Sequence, residues 1–143
     1  MRDGLTRDLS AHAAIGQRLR VSADCLALAD LLAREENAVH GSGALDAQGL
    51  MALFERCDAL RRPERFAALL QACACVALSN GADVRPAHGP PQQRLPPLLQ
   101  AAATLDTAAV AAAAAASGKT GPAIGESVRA ARIAAIQGAL HPR

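Results

Sequence analysis

The chain has 143 residues, a formal net charge of +2 and 51% apolar residues, and its only aromatics are two phenylalanines. That length is enough for one domain with a modest core, and the charge balance by itself implies no nucleic-acid partner. With so few aromatics the apolar surface falls to Ala and Leu, the best helix formers, which points to helices throughout.

A weak helical stripe runs through Leu5, Leu9, Ala13, Ile15 and Leu19, and Arg20-Val21-Ser22 reads as a break with Ser22 as the cap of a second helix. From Ala23 to about Val39 the residues Leu26, Ala29, Leu31 and Ala33 keep helical spacing until Gly41-Ser42-Gly43 stops it. Asp46 is placed to cap a third helix whose stripe is Leu50, Leu53, Phe54, Cys57 and Leu60. Pro63 suits the first turn of a fourth, where a missing N–H costs nothing, with Phe66, Leu69, Leu70 and Cys73 as its buried face and Asn80-Gly81 as its end.

Residues 80–97 contain Gly81, Pro86, Gly89, Pro90, Pro91, Pro96 and Pro97, a density of breakers that predicts a long surface loop. A fifth helix then starts at Pro96 or Pro97. Asp106 caps a sixth through the alanine tract, Gly118 to Gly121 is a turn, and Pro122 opens a last helix through Ile124, Val128, Ala131, Ile133 and Ile136. The expected fold is all-α: an irregular bundle of six or seven short helices with one Pro/Gly-rich loop, forming a single domain over 1–143 with no internal repeat.

Lys119 is the sole lysine, so fourteen of the fifteen Lys and Arg residues are arginine. Guanidinium groups bind phosphate through a planar fork and keep their charge when partly desolvated, although a GC-rich genome produces the same bias. Arg61, Arg62 and Arg65 flank Pro63 at a helix junction, and Arg129 and Arg132 are three apart on the last helix, where Lys119 can extend the basic face. Such groups hold phosphates without reading bases. The competing reading is a solvated turn whose arginines pair with Asp58 and Glu64. With both phenylalanines at apolar helix positions, any RNA contact must run through backbone and shape.

Other chemistry finds no home in this sequence. Gly118-Lys119-Thr120 resembles the end of a P-loop, but Ala113 stands where that motif needs glycine, and a helix precedes it instead of a strand. His12, His40, His88 and His141 make no i, i+4 pair, and Cys25, Cys57, Cys73 and Cys75 make no C-x-x-C. The first three cysteines lie in apolar helical patterns and read as reduced core thiols of a cytosolic protein. No catalytic residue, metal site or bound cofactor is expected. Gln100 and Asp106 interrupt the apolar run 98–116, which argues against a membrane span, and the N-terminus has no continuous apolar stretch of the signal-peptide kind.

The segment Asp58-Ala59-Leu60-Arg61-Arg62-Pro63-Glu64-Arg65-Phe66 resembles the D-x-x-R-[RK]-P-x-R-[FV] motif of bacterial multifunctional CCA-adding enzymes, the tRNA nucleotidyltransferases of HD-domain type. Arg18-Leu19-Arg20-Val21 with Cys25 resembles the R-L-R-V-P-x-x-C of that family, Leu31 to Glu35 its L-[LV]-x-[AR]-[EK]-H helix, and Gly121 to Glu126 with Ala131-Arg132 its G-P-A-I-G-E-x-[LV]-x-x-A-R. The matches run in order from about residue 17 to 138, leaving 1–16 divergent. In that family the head holds the metal-binding carboxylates and an HD domain follows, while the helical C-terminal part grips tRNA. The resemblance therefore implies a cytoplasmic tRNA-binding domain without catalysis of its own, using Arg61, Arg62, Arg65, Arg129, Arg132 and Lys119. A second expectation is one segment of a split enzyme that adds CCA from CTP and ATP with Mg²⁺ together with a separate head and HD domain. A third is a structural or homo-oligomeric module, or a degenerate paralogue. Where the family shows a charged E-A-D-x-R-G-R after the position of Cys73, this chain has Ala74 to Asn80 without those charges.

Overall fold

The computed structural model describes residues 14, 15, 17–81 and 88–142. From residue 23 onward six α-helices and one 3₁₀ turn follow one another, with no strand among the described residues: α1 (Ala23–His40), the 3₁₀ turn Gly41–Ala44, α2 (Ala47–Arg56), α3 (Pro63–Ser79), α4 (Pro91–Ala103), α5 (Thr107–Ala116) and α6 (Pro122–Leu140). The all-α expectation holds.

Local chemistry sets most of these boundaries. Ser22 accepts from the Cys25 N–H at 3.3 Å, Asp46 from the Gly49 N–H at 2.7 Å and Asp106 from the Ala109 N–H at 3.0 Å, each satisfying a donor that a helix start would leave unpaired. Pro63 and Pro122 occupy first-turn positions as expected. Of the first expected helix, Leu5, Leu9 and Ala13 lie outside the described residues. Residues 14, 15 and 17–19 are helical, and Arg20, at φ 52°, breaks the chain before Ser22.

The loop expected over 80–97 fails at its C-terminal end. Residues 91–97 form the first turns of α4, with Pro91 at its start and Pro96 and Pro97 inside it. Each interior proline costs about 3 kcal/mol. Against that, Leu95, Leu98 and Leu99 are buried with Ala102 on one stripe while both prolines face outward, and each buried leucine contributes roughly 1.5–3 kcal/mol. The breaker density reads as loop only when that stripe is ignored.

The core is one cluster that α1, α2, α3, α4 and α6 all enter, with α2 and α3 bringing its two phenylalanines. Leu50, Met51, Leu53 and Phe54 from α2 pack with Phe66, Leu69, Leu70 and Cys73 from α3, and the two phenylalanine rings meet edge to face at 5.6 Å and 86°. Helix α6 packs against α2, α4 and α5, α1 packs on α3, and α3 packs on α4. Cys57 and Cys73 are buried, but Cys25 is exposed in the first turn of α1, ahead of the residues that α3 covers, so the core reading fails for that thiol.

Candidate nucleic-acid interface

Helix α2 ends on Asp58, which takes the left-handed backbone conformation at φ 51°, and the Ala59 N–H donates to the Phe54 carbonyl at 2.9 Å across the reversal. The turn thus folds Ala59 into the core and leaves Arg61 and Arg62 outside. Arg62 precedes a proline and sits at φ −130°, ψ 64°, an orientation in which its side chain caps nothing. Its guanidinium stands 3.8 Å from the Asp58 carboxylate and that of Arg61 stands 3.5 Å away, so one acid serves two cations. Both arginines are more than half exposed, and such pairs contribute little.

Arg65 lies one turn on. With Arg62 it lines a cleft of about 410 Å³ against Asp24, Cys25 and Leu28 of α1. Its Nε is buried without a hydrogen-bond partner among the described residues. The spacing expected of Arg62 and Arg65 is therefore realised as two guanidinium side chains in one concavity, together with the acids Asp24 and Glu64.

The second group lies on α6. Arg129 and Arg132 line a cleft of about 580 Å³ with Met51 and Glu55 of α2 and Thr107 of α5. Arg129 makes a bidentate pair with Glu55, donating from Nε to Oε1 at 2.8 Å and from Nη2 to Oε2 at 3.1 Å. Those hydrogen bonds raise its pKa further above the ordinary value. Among the described residues Arg132 makes no ion pair, and its Nε is buried without a partner. Lys119, in the turn between α5 and α6, donates to Ser127 Oγ at 2.8 Å and stands apart from the residues lining this cleft. Gly118-Lys119-Thr120 is the helix-linking turn the sequence suggested, with Gly118 at φ 87°.

Aligned stretches of 130 residues with a protein of Leptothrix cholodnii and 132 residues with one of Paracidovorax citrulli, both named multifunctional CCA protein, are 49% and 48% identical, covering 91% and 92% of this chain. A multifunctional CCA protein of Ralstonia nicotianae is 47% identical over 93 residues, 64% of the chain. The chain is homologous to the C-terminal part of multifunctional CCA proteins. It spans 31% of the length of the first two of these relatives. No family profile matches the chain, and no solved structure does either.

Within this CCA-protein homologue, sequence reasoning missed three partners of arginines, each far away in the chain. Glu55 meets Arg129 across 74 residues. Glu35, buried in α1, accepts from Arg56 Nε at 3.1 and 3.2 Å across 21. Ser42 accepts from Arg94 across 52. Among the described residues no group of three or more His, Cys, Asp or Glu side chains comes together to hold a metal ion. No single helix among them is long and apolar enough to cross a membrane.

Proposed function

We propose that this chain is a cytoplasmic tRNA-binding helical domain, holding phosphates through Arg61, Arg62 and Arg65 on one side and Arg129, Arg132 and Lys119 on another, without catalysis of its own. The observation that carries the reading is the homology to the C-terminal part of CCA proteins over nine-tenths of the chain. The geometry supports it in one respect: Arg61 and Arg62 share a single carboxylate at an exposed turn, so the excess positive charge there is open to a polyanion. Helix α3 fixes that turn from below by burying Phe66 directly after Arg65.

Contacts of this kind position an RNA by shape and charge and give an affinity that falls steeply with salt. A filter-binding titration with whole tRNA checks this. Binding at low salt that weakens toward physiological salt is expected, as is a larger loss for Arg62→Ala with Arg65→Ala than for Lys119→Ala. No binding at low salt ends the reading.

A second reading has its own support. Ile15, Leu19 and Val21 are exposed large apolar side chains close together in the N-terminal stretch, and such a face fits assembly with a separate nucleotidyltransferase head and HD domain. That assembly would add CCA using CTP, ATP and Mg²⁺ held by the head. Co-purification with a head from the same genome is its test; a homo-oligomer by light scattering would instead assign the face to a second copy.

A further inference from the structure

Among the described residues, three guanidinium groups have a buried Nε with no hydrogen-bond partner: Arg65, Arg94 and Arg132. Buried charged donors are ordinarily paired, so each asks what it is for. The clefts of Arg65 and Arg132 contain carboxylates, namely Asp24 and Glu64 beside the first and Glu55 beside the second. Arg94 differs. Its cleft, about 390 Å³, is lined by Ser42, Gly43, His88 and the apolar side chains of α4 and α6, and no acid is among them.

Arg94 is also held in place. Its Nη2 donates to Ser42 Oγ, and that buried hydroxyl donates in turn to the Val39 carbonyl at the end of α1. Gly43 supplies the floor: a Cβ there would lie 2.9 Å from Arg94 Nη1 and 2.9 Å from His88 Cδ2, closer than side-chain contacts allow. Absence of a side chain at 43 is what lets guanidinium and imidazole lie side by side. Burial lowers the Arg94 pKa from its ordinary value, the expected direction for a cation desolvated without a counter-charge.

We propose that Arg94, pinned by Ser42 over Gly43 and flanked by His88, is a binding site for a phosphate group. A tetrahedral oxyanion presents oxygens both to the Arg94 fork and to the neighbouring imidazole, whereas a planar carboxylate satisfies the fork alone. The apolar walls formed by Leu45, Pro97, Leu98 and Leu140 lower the local dielectric and strengthen that attraction. The site is independent of the arginines assigned above to tRNA, and it stands whether or not they bind RNA.

The test observes arginine Nε–Hε resonances of the full chain by ¹H–¹⁵N NMR while inorganic phosphate is added at constant ionic strength, with acetate as the control. The Arg94 signal, identified by its loss in Arg94→Lys, should shift saturably with phosphate and much less with acetate. Gly43→Ala, which crowds both donors, should weaken phosphate binding roughly tenfold or more while leaving the helical circular dichroism intact. No saturable shift, or an equal response to acetate, overturns the proposal and leaves Arg94 as a structural pin. A parallel titration with tRNA assigns the source: a shift of the same resonance means a backbone phosphate, and a response to inorganic phosphate alone means a free one. A chain that binds tRNA while Arg94 ignores phosphate would keep the preceding reading and lose this one.

Discussion

Around α2 and α3 the chain buries large side chains, Leu50, Met51, Leu53 and Phe54 of α2 among them, and locks two phenylalanine rings edge to face. Around α5 and α6 it buries one residue in each helix, Ala114 and Ile136, and most of the alanine tract faces outward. The first region is stabilised by interdigitated volume. The second relies on intrinsic helix propensity, an aspartate cap, a first-turn proline and the close approach that alanine permits. The cleft of Arg62 and Arg65 touches only the first of these regions, through α3, whereas the cleft of Arg129 and Arg132 joins α2 to α5 and α6, so damage confined to α5 and α6 should reach only the second cleft.

The largest contrast is in volume. Phe66→Ala should cost about 3–5 kcal/mol, because it removes a ring from a closed core. Ala114→Gly should cost about 1 kcal/mol, because it changes mainly helix propensity. Urea denaturation followed by circular dichroism measures both, and similar losses would erase the distinction between the regions.

Alkaline pH offers a second contrast. Burial, with Glu35 nearby, pushes the Cys57 thiol from 9.0 up to about 12. A raised acid pKa in the folded state favours the fold below pH 9, and that advantage is lost as pH climbs from 9 toward 12, a window worth on the order of a few kcal/mol. The chain has no tyrosine and one lysine, so the other three thiols are the main further groups that titrate near that window, and Cys57→Ala separates the Cys57 share from theirs. Cys57→Ala should flatten stability across that window although it lowers stability at neutral pH. In native buffer Cys25 and Cys75 should react with a thiol reagent well before Cys57 and Cys73.

Removing a cap sharpens the comparison further. Asp46→Ala and Asp106→Ala each delete a similar hydrogen bond, worth about 1 kcal/mol. The first should lower the global unfolding midpoint, since α2 is central to the core. The second should speed amide exchange within 107–116 and barely move the midpoint. Smallest in stability is Glu55→Gln, which loosens the exposed pair with Arg129. If Arg129 contacts RNA, tRNA affinity at low salt should rise severalfold; unchanged affinity would remove Arg129 from the interface.

What the sequence disclosed was what neighbours in the chain decide. Ser22, Asp46 and Asp106 each mark a helix start through a bond less than a turn long, Pro63 and Pro122 do so by a fixed φ and a missing N–H, and Leu50, Leu53, Phe54 and Cys57 announce their common face by spacing alone. The start of α4 was not legible, because proline carries a strong local signal and the leucine stripe that outweighs it acts only once α3 and α6 are in place. Which arginines are already occupied was hidden for the same reason. Nothing near Arg129 foretells Glu55, and nothing near Arg94 foretells Ser42.

The alanine tract of α5 is fixed at both ends, by the Asp106 cap before it and by a turn after it with left-handed glycines at 118 and 121. Between such fixed points the number of residues cannot drift freely. One added alanine rotates everything beyond it by about 100° and carries the residue facing α6 around to solvent, whereas seven added residues nearly restore the original facing. A run so uniform that almost any substitution within it is mild is therefore strict about how many residues it holds.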